Sequence, residues 1–432
     1  MAGLLLLAFA PLTVARGQIT VSYETEQKTK VTKHYTARDF PQDLVRDLFA
    51  NFGFAWISKR YDEAVSVSGG SQRVMGGGIN EATMRYQGDR LVEVRLSVYS
   101  RTVMGRWREE PFNRHVDFWA RVIQGWAGGK GRELPELEVN DHIIVWKLWR
   151  AGPLEYRLER GYSEVGLWGE LPEFLNVIIR RVDIPADRHA ANPPARVKRG
   201  GKGDVWLEVP MIFQGDKGMC TPTAVARVMR YFGADLDKFQ LAAILETGSA
   251  DGGTKTERIT PAMRELAARG GFRVTVVQDW QSADFHRSFD AYNRLAAATG
   301  KPPLKMPLVW LELNAMDFYR QMDRETFRRS RVMQREELAA FKAAITHKIA
   351  AGVPLVWSVV HGLFVERTSG GNKGIYGHTR LIIGINERAG EILYTDSWGL
   401  GHELKRMKLE QAFAMSLGLF CLEPDYQSTR RR

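Results

Sequence analysis

Residues 214–223 read Gln214-Gly215-Asp216-Lys217-Gly218-Met219-Cys220-Thr221-Pro222-Thr223 and lead into a helix-like run over residues 224–232. This pattern predicts that Cys220 stands at the N-terminus of a helix. The helix dipole and the unpaired N–H groups of the first turn stabilise a thiolate there. An unperturbed cysteine is only about a few per cent ionised at neutral pH, so the position increases the supply of nucleophile. We therefore interpret Cys220 as reactive rather than as an inert core thiol.

A second stretch, late in the chain, predicts a β-hairpin. Residues 377–386 are typical of a strand, residues 387–390 of a turn and residues 391–399 of the returning strand. Because the start of the first strand lies beside the end of the second, the hairpin predicts that His378 and Asp396 are near neighbours. A carboxylate so placed fixes the imidazole tautomer and leaves the other ring nitrogen facing a thiol.

Gln214 completes the candidate set, because it precedes Cys220 by six residues. At that spacing its side-chain amide reaches the same carbonyl oxygen as the backbone N–H of Cys220. Together the two donors would form an oxyanion hole, in which the loss of one donor typically reduces turnover about 100-fold to 1000-fold. The alternative interpretation is a solvated loop glutamine.

These residues resemble the papain-like cysteine peptidases, and among them the bacterial family similar to the double-glycine leader peptidases that trim bacteriocin precursors. The resemblance rests on Gln214 and Cys220, on Gly377-His378 opening an apolar strand, and on Asp396-Ser397-Trp398-Gly399. It covers the C-terminal half only. It implies an α+β papain-like fold, with a left lobe led by the cysteine helix and a right lobe of antiparallel strands that carry His378 and Asp396. It also implies a thiol peptidase with a peptide or protein substrate.

Two features set the chain apart from those leader peptidases. They are usually the front end of a membrane exporter with an ATPase domain, and this sequence encodes neither. A long, charged and mostly helical insertion also separates Cys220 from His378, which predicts a different substrate. Two other functions stay open: a non-catalytic module that binds a peptide or an envelope polymer, and an acyltransferase with the same Cys-His-Asp constellation.

Other residues compete for the same roles. His361 and His402 also border apolar or glycine-containing segments, but neither has a carboxylate opposite it in the predicted hairpin. The alternative interpretation of Asp396 is a purely structural one, as a turn-capping residue before Ser397. Cys421 follows an apolar run and is predicted to be a buried, free and inert thiol, so we expect no structural disulfide.

The sequence predicts four segments. Residues 1–17 resemble a secretory signal peptide, which predicts a secreted or periplasmic protein. Residues 18–184 predict a small α+β domain with an antiparallel sheet and no evident chemistry. Residues 185–203 have linker composition, which favours an ordinary tether and also raises the hypothesis that the N-terminal domain is a pro-region released after Arg199. Residues 204–432 are then the papain-like cysteine peptidase domain.

The spacing of apolar residues supports the prediction of an N-terminal α+β domain. Val92, Val94, Leu96 and Val98 alternate with Glu93, Arg95, Ser97 and Tyr99, as in a strand with one buried and one exposed face. Phe112, Val116, Trp119, Ile123 and Trp126 mark one face of a helix, and residues 142–149 and 154–158 are typical of strands.

Composition limits the partners. The chain has 432 residues, of which 44% are apolar, and a net charge of +11 with a basic tail at Arg430, Arg431 and Arg432. The aromatic residues do not alternate with basic ones, so no nucleic-acid groove is predicted. We expect no stable membrane insertion but weak association with an anionic cell envelope. No zinc spacing, calcium loop or phosphate-binding loop occurs, so neither a metal nor another cofactor is predicted.

Overall fold

The computed structural model describes residues 14–15, 18–24, 30–66, 72–139, 141–164, 170–184, 193–215, 218–234, 236–248, 253–279, 282–305, 315–366 and 374–425. We call residues 14–184 the N-terminal region and residues 193–425 the C-terminal region. The basic tail and all of the predicted signal peptide except Val14–Ala15 lie outside the described residues.

In its described residues, the N-terminal region contains fourteen strands and three helices. They are β1 (Val14–Ala15), β2 (Gln18–Glu24), β3 (Lys30–Thr36), α1 (Gln42–Asn51), β4 (Phe54–Trp56), β5 (Glu63–Ser66), β6 (Gln72–Val74), β7 (Gly77–Ile79), β8 (Glu81–Gln87), β9 (Arg90–Ser100), α2 (Arg101–Met104), α3 (Glu109–Ala127), β10 (Arg132–Glu133), β11 (Leu137–Val139), β12 (His142–Ala151), β13 (Leu154–Glu164) and β14 (Glu170–Arg181).

Twelve of these strands form one sheet with the order β1-β2-β3-β9-β14-β13-β12-β10, in which β8, β5 and β4 branch from β9 and β11 pairs with β12. Apart from a single parallel pair between β3 and β9, the pairs are antiparallel. The predicted helix is α3, whose buried side chains are Phe112, Val116, Trp119 and Ile123. Helix α3 ends where Gly128 adopts a left-handed φ of 74°.

The C-terminal region begins with a short 3-10 helix (Pro193–Arg196) and alternates strands with helices. The elements are β15 (Lys198–Arg199), β16 (Val205–Trp206), α4 (Cys220–Tyr231), α5 (Lys238–Ile244), α6 (Thr256–Gly270), β17 (Phe272–Asp279), α7 (Ser282–Ala298), α8 (Ala315–Gln321), α9 (Arg324–Val332), α10 (Arg335–Ala350), β18 (Leu355–His361), β19 (Tyr376–Asn386), β20 (Glu391–Thr395), β21 (Lys405–Lys408), α11 (Leu409–Met415) and β22 (Ser416–Pro424).

Strands β15 to β22 form a second, antiparallel sheet with the order β15-β16-β19-β18-β22-β17, and β20 and β21 extend it from β19. The buried helix α4 packs against β18 and β19. The predicted helical insertion between Cys220 and His378 corresponds to α6 to α10. The protein is therefore a mixed α+β chain with antiparallel sheets.

The predicted linker differs from the structure in its second half. Residues 185–192 lie outside the described part, but Lys198 and Arg199 pair with Trp206 and Val205 and so belong to the C-terminal sheet. Arg196 also donates a hydrogen bond to the backbone oxygen of Tyr231 and lies over its ring. Composition missed this because short edge strands need no apolar residues. Cleavage after Arg199 would first require this strand to open.

The prediction that the strand over residues 92–98 exposes its polar face is wrong. In β9 the side chains of Glu93, Arg95, Ser97 and Tyr99 are buried as well. The C-terminal region covers this face, because Arg95 Nη1 lies 3.0 Å from Asp237 Oδ2 at the start of α5. The polar side of the strand alternation therefore meets protein rather than water.

Neither a membrane-spanning helix nor a metal-binding cluster occurs among the described residues. None of the helices in that part of the chain is both long and apolar enough to cross a membrane. The same residues contain no group of three or more His, Cys, Asp or Glu side chains that could hold a metal ion.

Candidate active site

Helix α4 begins at Cys220, and no described side chain caps its first turn. The approach to the helix requires left-handed backbone at Gly215 and Gly218, with φ of 79° and 49°. The hydroxyl groups of Thr221 and Thr379 hydrogen-bond at 2.7 Å and join the start of α4 to strand β19. Cys220 is half-buried as a residue, and its thiol lies at the first turn of the helix.

The hairpin of β19 and β20 brings the predicted histidine and carboxylate together. Leu381 pairs with Thr395, which places His378 near Asp396 just beyond the paired residues. His378 Nε2 lies 3.0 Å from Asp396 Oδ1. The side chain of His378 also hydrogen-bonds Cys220. Since Nε2 faces the carboxylate, Nδ1 is the nitrogen left for the thiol.

The electrostatics favour a charged cysteine–histidine pair. Burial alone would raise the pKa of the Cys220 thiol, but the hydrogen bond and the charge of His378, with the backbone N–H of Thr379, lower this pKa from 9.0 to about 7. Burial would lower the pKa of His378, but its hydrogen bonds to Asp396 and Cys220 raise it. The two shifts act together, because each charged form stabilises the other.

Asp396 is completely buried and lies among cations that the sequence did not reveal. Arg380 Nε lies 2.8 Å from its Oδ1, and Lys405 Nζ lies 2.6 Å from its Oδ2. Burial would raise the pKa of Asp396, but Arg380, His378 and Lys405 hold this pKa well below its usual range. The carboxylate therefore stays ionised, which suits it to orient an imidazole and makes it a poor proton acceptor.

The period of a strand explains part of this arrangement. His378 and Arg380 are two residues apart in β19 and lie on the same face, towards Asp396. Arg380 also reaches a second carboxylate, with Nη2 at 2.8 Å from Glu366 Oε1. Sequence analysis missed Arg380. The available signal was a charged residue inside a predicted apolar strand, two positions from a candidate histidine. Lys405 lies on β21, and only the tertiary fold brings it here.

Trp398 and Arg227 hold the site in place. The Trp398 ring stacks on the His378 ring, with centroids 4.7 Å apart and an interplanar angle of 18°. Arg227, buried in α4, donates to the backbone oxygen of Asp396 at 2.9 Å and to Thr395 Oγ1 at 2.8 Å. The helix that carries Cys220 is thus tied directly to the strand end that carries Asp396.

The two competing histidines both have carboxylates nearby, which corrects the sequence analysis. His361 Nδ1 lies 3.7 Å from Glu366 Oε1, and His402 Nδ1 lies 3.9 Å from Asp396 Oδ2. Strand pairing could not reveal these contacts, because Glu366 and His402 lie outside the hairpin strands. Burial and then Arg380 lower the pKa of His361 to about 4, so it is neutral. Of the three, His378 is the histidine that hydrogen-bonds Cys220.

Gln214 is anchored beside the same strand end. Its backbone N–H donates to the backbone oxygen of Ser397 at 2.9 Å, one residue after Asp396. Its side-chain Oε1 is buried and accepts no hydrogen bond from any described residue. The side-chain amide of Gln214 is therefore not hydrogen-bonded to another described residue through its Oε1.

Both cysteines are free, and they differ in environment. Cys421 is buried in β22, and burial raises its pKa. A thiol with a raised pKa in the core is a poor nucleophile. The structure therefore contains one half-buried thiol beside an imidazole and one buried thiol without one.

Comparison with known proteins gives a family for this part of the chain. Residues 206–416 match the family described as Peptidase_C39 like family, and this match includes Gln214, Cys220, His378 and Asp396. No curated protein matches the chain in sequence. The C-terminal half, over residues 206–416, is therefore similar to the Peptidase_C39 like family, a group related to cysteine peptidases.

Proposed function

We propose that the protein is a thiol peptidase with a papain-like C-terminal fold that cleaves peptide bonds through Cys220. One observation carries the proposal: a half-buried cysteine at a helix start hydrogen-bonds a histidine whose other ring nitrogen is 3.0 Å from a buried carboxylate. Nucleophile, base and orienting group in this order are the requirements for acyl transfer. The family match supports the same reaction class.

In the proposed reaction, the Cys220 thiol proton passes to Nδ1 of His378, and the thiolate attacks the peptide carbonyl carbon. The carbonyl π electrons move to oxygen, and the amide of Gln214 and the N–H of Cys220 donate to that oxyanion. The tetrahedral species collapses, the C–N bond breaks, and His378 gives its proton to the leaving amine. Water, deprotonated by His378, then hydrolyses the thioester and restores the thiol.

Asp396 keeps His378 in the tautomer that this proton transfer needs. Because its carboxylate is paired with Arg380 and Lys405, it does not take the proton itself. Trp398 shields the contact between His378 and Asp396 on one face of the imidazole. The proposed steps use side chains and backbone groups of the chain together with water.

We also propose that the protein acts outside the cytoplasm, as a secreted or periplasmic enzyme. The support is the pattern of residues 1–17, with an apolar run before Ala15-Arg16-Gly17. The net charge of +11 would favour contact with an anionic cell envelope.

A cleavage screen tests the proposed activity. The full chain, Cys220→Ala and Cys421→Ala are incubated with a peptide library from a digested proteome, and new amino termini are counted by mass spectrometry. We expect new termini with the full chain and with Cys421→Ala, and none with Cys220→Ala. Cys421→Ala is the matched control, because it removes a thiol without touching the site.

Other outcomes would separate the alternatives. No new termini with any form, together with peptides retained by the full chain, would contradict the peptidase and favour a binding module. Products that carry an added amine when hydroxylamine is present, without hydrolysis in its absence, would indicate an acyltransferase. Equal cleavage by Cys220→Ala would show that a different group is the nucleophile.

A further inference from the structure

Lys238, the first residue of α5, connects the two regions at the base of the active site. Its side chain is almost completely buried. The ammonium Nζ donates to Glu81 Oε2 of β8 at 2.6 Å and to the backbone oxygen of Phe213 at 2.8 Å. One carboxylate of the N-terminal region therefore balances a buried lysine that holds the loop before Cys220.

The peptide group between Phe213 and Gln214 is held at both edges. Its carbonyl oxygen accepts from Lys238, and its N–H donates to the backbone oxygen of Ser397 at 2.9 Å. Because a peptide group is planar, two opposed hydrogen bonds fix its orientation. They also fix the Cα position of Gln214.

Apolar contacts from the N-terminal region reinforce this loop. Phe213 packs in a small cluster with Ile57, Val65 and Met211, of which the first two belong to the N-terminal region. On its other side the Phe213 ring lies 3.4 Å from the position that a Cβ on Gly399 would occupy. The loop is thus enclosed between the N-terminal region and the segment that follows Asp396.

We propose that the N-terminal region is a permanent part of the catalytic unit, and that Glu81 and Lys238 are positioning residues that set the oxyanion donor Gln214. This inference rests on the proposed function and adds to it a role for the N-terminal region. It replaces the hypothesis of a released pro-region, since release would remove both the carboxylate that pairs with Lys238 and the apolar residues that pack on Phe213.

Two reagents separate oxyanion stabilisation from thiolate formation without a known substrate. The Cys220 thiolate attacks the carbonyl of p-nitrophenyl acetate through a tetrahedral oxyanion and expels p-nitrophenolate, leaving an acetyl thioester. The same thiolate displaces iodide from iodoacetamide with no oxyanion. The ratio of the two rates therefore reports the oxyanion hole alone.

The test measures both rates in the full chain and in matched variants. Gln214→Ala is the reference, Lys238→Met and Glu81→Gln break the proposed link, and Lys238→Arg keeps the cation. Arg230→Met is the control, because Arg230 pairs with Glu63 across the same boundary at 2.7 Å, whereas the hydrogen bonds of the Phe213–Gln214 peptide group go to Lys238 and Ser397. Unfolding of each variant is followed by thermal denaturation.

We expect acylation by p-nitrophenyl acetate to fall about tenfold or more in Gln214→Ala and comparably in Lys238→Met, with a smaller fall in Glu81→Gln. Iodoacetamide alkylation should stay within about twofold of the full chain in all of them, because the Cys220–His378 pair is untouched. Lys238→Arg should recover most of the acylation rate. Arg230→Met should lose stability but keep the rate ratio.

Wild-type acylation in Lys238→Met alongside slow acylation in Gln214→Ala would overturn this inference and leave the peptidase proposal standing. An equal loss of the ratio in Arg230→Met would also overturn it, because general loosening of the boundary would then suffice. If Gln214→Ala acylates normally, Gln214 is not an oxyanion donor and the inference fails with that role. Alkylation of Cys220 no faster than that of N-acetylcysteine would contradict the proposed function itself.

Discussion

The boundary between the two regions and the Cys220 site both bury charge, but they balance it differently. At the boundary, the cations Arg95, Arg230 and Lys238 each have a carboxylate of the other region at 3.0, 2.7 and 2.6 Å, respectively. In the site, Arg380 and Lys405 pair with Asp396 and Glu366, and Arg227 is a third buried cation that bonds the backbone of Asp396. A protonated His378 adds one further positive charge.

The thiolate of Cys220 is the negative group that a protonated His378 faces in this cluster. The boundary pairs each join a cation of one region to a carboxylate of the other, so they contribute docking and specificity. In the site, the interaction between His378 and Cys220 couples the protonation of both residues. A buried charge cluster therefore indicates chemistry when one of its ion pairs forms only by proton transfer between two side chains.

The largest effect is expected on the site side of the comparison, from His378→Gln. This change removes the proton acceptor and the positive partner of the thiolate, so peptide cleavage should fall about 100-fold to 10,000-fold. Cleavage of a peptide from the library screen measures it. His361→Gln is the control and should retain most activity, since His361 does not hydrogen-bond Cys220. Equal losses in both variants would contradict the distinction between the two histidines.

The second largest effect is expected at the boundary between the two regions, from Arg95→Met. The change leaves Asp237 buried beside Asn176 without its cation, so the free energy of unfolding should fall by about 3 kcal/mol. Urea denaturation measures it, and the rate of Cys220 alkylation should not change. The control is Arg258→Met, which breaks an exposed pair with Glu246 and should alter stability by less than about 1 kcal/mol. Loss of Cys220 reactivity in Arg95→Met would contradict the claim that the boundary pairs and the Cys220 site are independent.

The smallest effect is expected from Trp398→Ala. The stacked ring orients His378 and contributes about 0.5–1.5 kcal/mol, so alkylation of Cys220 should slow about threefold to tenfold. Trp398→Phe retains a ring and should recover most of the rate. Stopped-flow alkylation at neutral pH makes the measurement. An unchanged rate in Trp398→Ala would mean that the hydrogen bond to Asp396 orients the imidazole without help.

The sequence was sufficient wherever a local pattern determined the geometry. Helix α4 and the adjacency of His378 and Asp396 follow from an apolar run after Cys220 and from a short turn between two strands. Helix α3 follows from the spacing of Phe112, Val116 and Trp119. These features depend on contacts that are close in sequence or related by one hairpin.

Contacts between distant segments could not be predicted. Alternation in β9 indicated two different faces but gave no sign that the polar one meets α5 rather than solvent, because both surroundings suit Glu93 and Arg95. Lys405 and Lys238 likewise look like surface lysines in the sequence. Arg227, like Arg380, did carry a signal, since it interrupts an apolar run seven residues after Cys220, two helical turns along.

The pH dependence of alkylation, measured for both cysteines in the same native protein, tests the central claim most directly. Iodoacetamide labelling is quantified separately at Cys220 and Cys421 by mass spectrometry. A Cys220 thiol with its pKa lowered to about 7 should reach half its maximal rate near that pH, while buried Cys421 stays unlabelled. A Cys220 midpoint near 9.0, the ordinary value of a thiol, would contradict an activated cysteine–histidine pair.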